Sequence, residues 1–339
     1  MSTSADRRIT TSIDREDSKR LMVFAGRASR VLGERISTRL GIDLGEVTLK
    51  TFANGEIYVR FEESVRGADV FLVQSTCQPV NDSLMELLIM VNAAKLASAH
   101  RINAVIPWYG YSRQDKKSAP REPITAKLVA ELLQAAGVDR VLTMDLHAGQ
   151  VQGFFQIPVD HMTAVPLIAE HFKERVYSGD LSDKLVVVSP DAGRAKLANH
   201  FAEKLGATLA VLTKQRPDHN QAEITLLIGD VQGRDAILID DMIDTAGTLV
   251  AGARVVKNGG ANRIYAAAVH GLFSGAAFER LADCDIEEIV VTDTVPLAAG
   301  APEGLFKILS VDRILADSVH NVFCDESVSE IFAGENQLF

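Results

Sequence analysis

Short runs of Val, Ile, Leu and Ala alternate with longer amphipathic segments along nearly the whole chain, and few architectures accept that rhythm. Strands are predicted over residues 21–25, 47–51, 57–61, 69–74, 101–107 and 140–145, with helices over 27–40, 81–99 and 124–136 between them. In the helix over 81–99, Leu84, Leu87, Leu88 and Val91 recur at helical spacing and mark one apolar face. The pattern then repeats. Strands are predicted over 184–189, 208–212, 236–239, 263–269 and 288–292, and helices over 166–176, 195–205, 248–257 and 310–322. Such alternation implies crossover units, and so an α/β fold of two similar domains, each a mostly parallel sheet flanked by helices. The expected division is a polar, flexible tail over 1–20, an N-terminal domain over 21–165 and a C-terminal domain over 166–335.

Charge and composition narrow the classes of partner. The net charge of -10 opposes general nucleic-acid binding, which needs a basic footprint. No stretch approaches the ~20 apolar residues that span a bilayer. The first 20 residues are charged throughout, unlike a signal peptide or an anchor. Cys77, Cys284 and Cys324 are too few for a disulfide framework and match no zinc spacing. A cytoplasmic protein without membrane or nucleic-acid partners is expected.

In parallel sheets, chemistry collects in the loops after the carboxyl ends of strands. The strand Ala236-Ile237-Leu238-Ile239 runs into Asp240-Asp241-Met242-Ile243-Asp244-Thr245-Ala246-Gly247-Thr248, and a helix begins there. Backbone N–H groups and hydroxyls of Thr245, Ala246, Gly247 and Thr248 at a helix N-terminus make an anion site, and Gly247 allows close approach. Carboxylates beside a phosphate site make sense when the ligand also carries vicinal hydroxyls. Asp240 and Asp244 can accept hydrogen bonds from a ribose. Capping of the helix start by solvated acids is the bland alternative, but it leaves a double acid after four apolar residues unexplained.

This segment resembles the phosphoribosyl-binding motif of type I phosphoribosyltransferases, which ribose-phosphate pyrophosphokinases share. Three further segments resemble the pyrophosphokinases specifically: Thr51-Phe52-Ala53-Asn54-Gly55-Glu56; Pro107-Trp108-Tyr109-Gly110-Tyr111-Ser112-Arg113-Gln114-Asp115, with 121–127 after it; and the run from Met144 through His147 to Phe155. No Gly-Lys pair occurs, so an ordinary P-loop is absent. The resemblance implies that Asn54, Gly55, Glu56, Arg113 and Gln114 bind ATP, with Phe52 offering a face for stacking adenine, although a strand-end Phe is as often simply buried. It makes His147 and Asp191 the residues linked to Mg²⁺, a cation that keeps few protein ligands. The segment Thr213-Lys214-Gln215-Arg216-Pro217 is similar to the family's catalytic loop, with Lys214 and Arg216 as the catalytic cations and Arg216 also on the sugar phosphate. Three positions depart from many relatives: Arg194 where a second glycine is common, Leu197 where a basic residue is frequent, and Gln215 where Arg is frequent. These put local phosphate contacts in doubt. The implied activity is transfer of the β,γ-diphosphoryl group of Mg–ATP to the anomeric hydroxyl of ribose 5-phosphate, by a homo-oligomer that is a hexamer in the family. A base phosphoribosyltransferase and a catalytically silent regulatory relative are the rivals.

Overall fold

The structure is a computed structural model that describes residues 19–215 and 224–332. Strand β1 (Leu21–Ala25) leads through α1 (Arg30–Leu40) to a hairpin of β2 (Val47–Thr51) and β3 (Ile57–Phe61). Then come β4 (Asp69–Val73), α2 (Val80–Leu96), β5 (Arg101–Ile106), α3 (Thr125–Ala136), β6 (Arg140–Met144) and β7 (Val159–Met162). Five of these strands form a wholly parallel sheet in the order β1-β4-β5-β6-β7. All residues of β4 are buried, because helices cover both faces of such a sheet. Helix α1 ends where Gly41 takes φ 71, a left-handed closing turn that a side chain would strain.

Helix α4 (Val165–Tyr177) opens the second half, followed by β8 (Leu185–Ser189), α5 (Ala195–Leu205), β9 (Thr208–Gln215) and β10 (Ile224–Ile228). The chain continues through β11 (Asp235–Ile243), α6 (Gly247–Asn258), β12 (Ile264–Gly271), α7 (Ala277–Ala282), β13 (Glu288–Thr292), β14 (Phe306–Leu309) and α8 (Asp312–Phe323). Here seven strands pair in the order β10-β9-β8-β11-β12-β13-β14, and among them β10 runs antiparallel to its neighbour. The mostly parallel α/β architecture expected from the sequence is therefore what the chain adopts.

The two sheets share one core. Ile36, Phe71, Val105 and Leu142 lie in the same apolar cluster as Phe172, Val187, Phe201 and Ile237. Phe172 meets Phe201 and Tyr265 edge-on, with ring centroids 6.1 and 6.3 Å apart. Polar contacts tie the carboxyl ends together: Ser75 Oγ donates to the Thr294 carbonyl, Trp108 packs against His270 at 4.6 Å between centroids, and His270 Nε2 stands 3.2 Å from the Asp145 carbonyl oxygen. Loops from both sheets consequently open into one space.

Among the described residues, three strands and one α-helix go beyond the predicted set: β7, β10, β14 and α7. Two strands also run three or more residues past their predicted ends. β9 continues to Gln215 because β10 pairs with it residue by residue, Thr225 opposite Lys214, so Lys214 belongs to a strand rather than to a loop. β11 continues past Ile239 to Ile243, its pairing with β12 extending to Gly271, so Asp240 and Asp241 lie within a strand. Among the described residues no helix is long and apolar enough to cross a membrane. The three cysteines are unpaired.

Candidate active site

A cavity of about 390 Å³ gathers residues from four strand ends: Arg113 after β5, His147 after β6, Asp191 and Arg194 after β8, and 238–249 at the junction of β11 and α6. The backbone of each strand fixes where its polar end residue emerges. At β5 the turn is tight: Gly110 donates from its N to Thr76 Oγ1 at 2.6 Å, and a Cβ there would meet the Thr76 carbonyl oxygen at 2.5 Å. At β6, Asp145 adopts φ 35, while its carboxylate accepts from Thr163 Oγ1 and from the N of Ala164, each at 2.7 Å. That strained corner turns His147 toward the cavity.

Within the cavity an acid-rich network forms. His147 Nδ1 donates to Asp241 Oδ2 at 2.7 Å. Arg194 donates from Nη2 to the same Oδ2 at 3.0 Å and from Nη1 to the His147 carbonyl at 3.3 Å, and its Nε stands 3.5 Å from Asp240 Oδ1. Asp191 Oδ1 accepts the backbone N–H of Arg194 at 3.0 Å. Neighbouring carboxylates in one cavity cannot share equal charge. For Asp240, burial first, then the hydrogen bond and charge of Asp241, push the carboxyl well above the usual carboxylate range. Burial works on Asp241 in the same sense, but hydrogen bonds from His147 and Asp240 and the charge of Arg194 outweigh it and hold Asp241 below the usual carboxylate range.

The junction into α6 provides the anion corner. Ala246 holds φ 59 directly before Gly247, an uncommon left-handed conformation for a residue with a side chain. Thr245, Ala246, Gly247 and Thr248 all line the cavity. A Cβ on Gly247 would meet no protein atom closer than Thr245 Oγ1 at 3.9 Å, so the protein leaves that space open. Arg280 Nη1 secures the turn by donating to the Thr245 carbonyl at 2.6 Å.

Arg113 belongs to two recesses. Its Nη1 donates to Asp244 Oδ2 at 2.6 Å, which bridges the two halves of the chain. On its other side a recess of about 450 Å³ is lined by Pro79, Trp108, Tyr111 and Gln114, and Gln114 Oε1 accepts from Thr125 Oγ1 at 2.6 Å. The structure therefore brings together Arg113, His147, Asp191, Asp240, Asp244, Thr245, Ala246, Gly247 and Thr248, with Gln114 next door. It does not bring Phe52, Asn54, Gly55 and Glu56 into either recess. Those four form the tip of the β2–β3 hairpin, where Phe52 is 52% exposed with its ring centroid 5.9 Å from that of Tyr58. Phe52 is thus not a core residue. Arg216 lies outside the described residues, as does the side chain of Lys214. Sequence reasoning passed over two residues that the geometry places centrally. Asp241 was visible only as half of an acid doublet, and Arg194 only as a departure from a pattern.

Parallel sheets with a threonine-lined, acid-flanked turn at a helix N-terminus define a phosphoribosyltransferase-like α/β enzyme. Residues 21–137 match the N-terminal domain of ribose phosphate pyrophosphokinase, and residues 218–333 match the phosphoribosyl synthetase-associated domain. A ribose-phosphate pyrophosphokinase of Fusobacterium nucleatum is 51% identical over 310 residues, covering 91% of this chain and 97% of that one. The chloroplastic ribose-phosphate pyrophosphokinase 2 of Arabidopsis thaliana is 48% identical, covering 96% of this chain and 80% of its own. The crystal structure of phosphoribosylpyrophosphate synthetase from Mycobacterium smegmatis superposes with a TM-score of 0.85 at 44% identity, covering 91% of this chain and all of that one. The chain belongs to the ribose-phosphate pyrophosphokinase family.

Proposed function

We propose that the protein transfers the β,γ-diphosphoryl group of Mg–ATP to the anomeric hydroxyl of ribose 5-phosphate, giving 5-phosphoribosyl 1-diphosphate and AMP. The observation that carries this reading is the Arg113–Asp244 contact. A residue of the ATP-like segment and one of the sugar-phosphate turn meet across a single cavity, although they are 131 positions apart in the chain. Thr245–Thr248 and the α6 N-terminus would hold the 5-phosphate, with Arg216. Asp240 and Asp244 would accept the ribose hydroxyls, Asp240 changing its hydrogen-bonding role with its proton. Arg113 and Gln114 would fix the nucleotide, since a guanidinium fork matches phosphate oxygens. The anomeric oxygen then attacks the β-phosphorus in line, and Lys214 stabilises the charge that develops. In such transfers positioning and electrostatics supply most of the acceleration.

The donor set suits Mg²⁺ held sparsely. Among the described residues no cluster of three metal-ligating side chains exists, and a cation that keeps its waters and takes phosphate oxygens needs only one or two protein ligands. Asp191 has one carboxylate oxygen beyond its bond to Arg194, and His147 stands across the cavity from it. Bound there, Mg²⁺ would neutralise polyphosphate charge. The exposed Phe52–Glu56 tip, outside both recesses of its own chain, suits completion of a neighbour's ATP site in a homo-oligomer, a hexamer by family resemblance. Residues 21–165 would then carry the ATP loops and 166–335 the sugar-phosphate turn, in a cytoplasmic enzyme.

Incubation of the protein with ATP, Mg²⁺ and ribose 5-phosphate tests the reading by chromatography. AMP is expected to appear in step with loss of ribose 5-phosphate. A folded protein that releases no AMP would instead fit a base phosphoribosyltransferase or a silent relative.

A further inference from the structure

While Asp244, which also lines the cavity, pairs with Arg113, Arg194 is the cation of the acid-rich network. Its backbone N–H is bonded to Asp191, and its side chain lies against His147, Asp240 and Asp241. The side chain is 20% exposed and faces the same space as the Thr245–Thr248 turn. Its Nη2 stands 2.5 Å from His147 Nδ1 and 3.3 Å from His147 Nε2, so the guanidinium crowds the edge of the imidazole. A divalent cation drawn to Asp191 and His147 therefore meets a guanidinium already against the same imidazole, and two cations crowded there repel in a half-buried site. Either the metal stays out or Arg194 turns away. A displaced guanidinium would still open onto the same cavity, where its planar fork matches the oxygens of a phosphate.

Building on the function proposed above, we propose that Arg194 is a resident counter-ion, bound to Asp240, Asp241 and His147 until a divalent cation displaces it, and then bound to a phosphate oxyanion of the sugar substrate. Neither role follows from the phosphate-binding turn itself, which opens α6, whereas Arg194 follows β8.

The test compares wild-type protein with Arg194→Gln. Mn²⁺ binding is read by electron paramagnetic resonance without nucleotide or sugar, and ribose 5-phosphate binding by calorimetry with Mn²⁺ present. Arg194→Gln is expected to bind Mn²⁺ about tenfold more tightly and ribose 5-phosphate about tenfold more weakly, in the usual range of coupling between sites. If either constant is unchanged, or Mn²⁺ binding weakens, the proposal is overturned. Should circular dichroism show Arg194→Gln unfolded, Arg194→Lys keeps the charge without the fork. Smaller shifts in the same two directions are then expected, and the absence of both overturns the proposal. AMP formation by the wild-type protein is measured separately, so the proposed reaction can hold while the role of Arg194 fails, or the reverse.

Discussion

Replacing Lys214 by alanine is expected to lower turnover by roughly 10²–10³, the usual cost of removing one donor aimed at developing charge. The Michaelis constant for ATP should change far less, because Lys214 is proposed to act on the transition state rather than on the bound nucleotide. The structure makes the substitution clean in one respect. The main chain at Lys214 is held in register opposite Thr225 by the β9–β10 pairing, so truncating the side chain leaves that backbone bond pattern available. Steady-state kinetics with ATP varied at saturating ribose 5-phosphate separate the two parameters. Unchanged turnover refutes the role, and an equal loss of ATP affinity would make Lys214 a binding residue instead.

Asp241→Ala should produce the second large effect. Its buried carboxylate is the common acceptor for His147 and Arg194. Removing it takes the carboxylate from both donors and leaves Arg194 with the half-buried Asp240 and the His147 carbonyl. Turnover is expected to fall by about 10² or more, since the groups facing the substrate lose their orientation. Stability should fall by about 1–3 kcal/mol, the typical penalty for unpairing buried polar groups. Denaturant unfolding and turnover, measured on the same preparation, check the two parts. If both match the wild-type protein, the network around Asp241 does not organise the site.

The sequence revealed most where one physical cause dominated. β4 and the middle of β11 are buried on both faces, so their apolar runs stand out from the background. β14 occupies the edge of its sheet with two exposed residues out of four, and β7 contains Asp160, whose carboxylate is bonded to Arg140. Neither leaves a hydrophobic period to detect. The lengths of β9 and β11 were hidden for a related reason, because pairing with a neighbour extends a strand through polar residues that look like loop. The anion corner was legible because strand, small residues and helix follow one another along the chain. The Arg194 contacts were not, since the carboxylates lie 46 and 47 positions away and meet it only through the pairing of β8 with β11. The hairpin tip at 52–56 shows the opposite limit: its residues were identified by resemblance, yet nothing in their order told that they would stand clear of the cavity in their own chain.

The central claim is that one cavity moves a diphosphoryl group intact from nucleotide to sugar. ATP carrying ³²P at its β-phosphorus decides this when supplied with Mg²⁺ and ribose 5-phosphate. The label is expected in 5-phosphoribosyl 1-diphosphate, with the AMP unlabelled. Label retained in ADP would mean that only the γ-phosphoryl group had moved, and would contradict it.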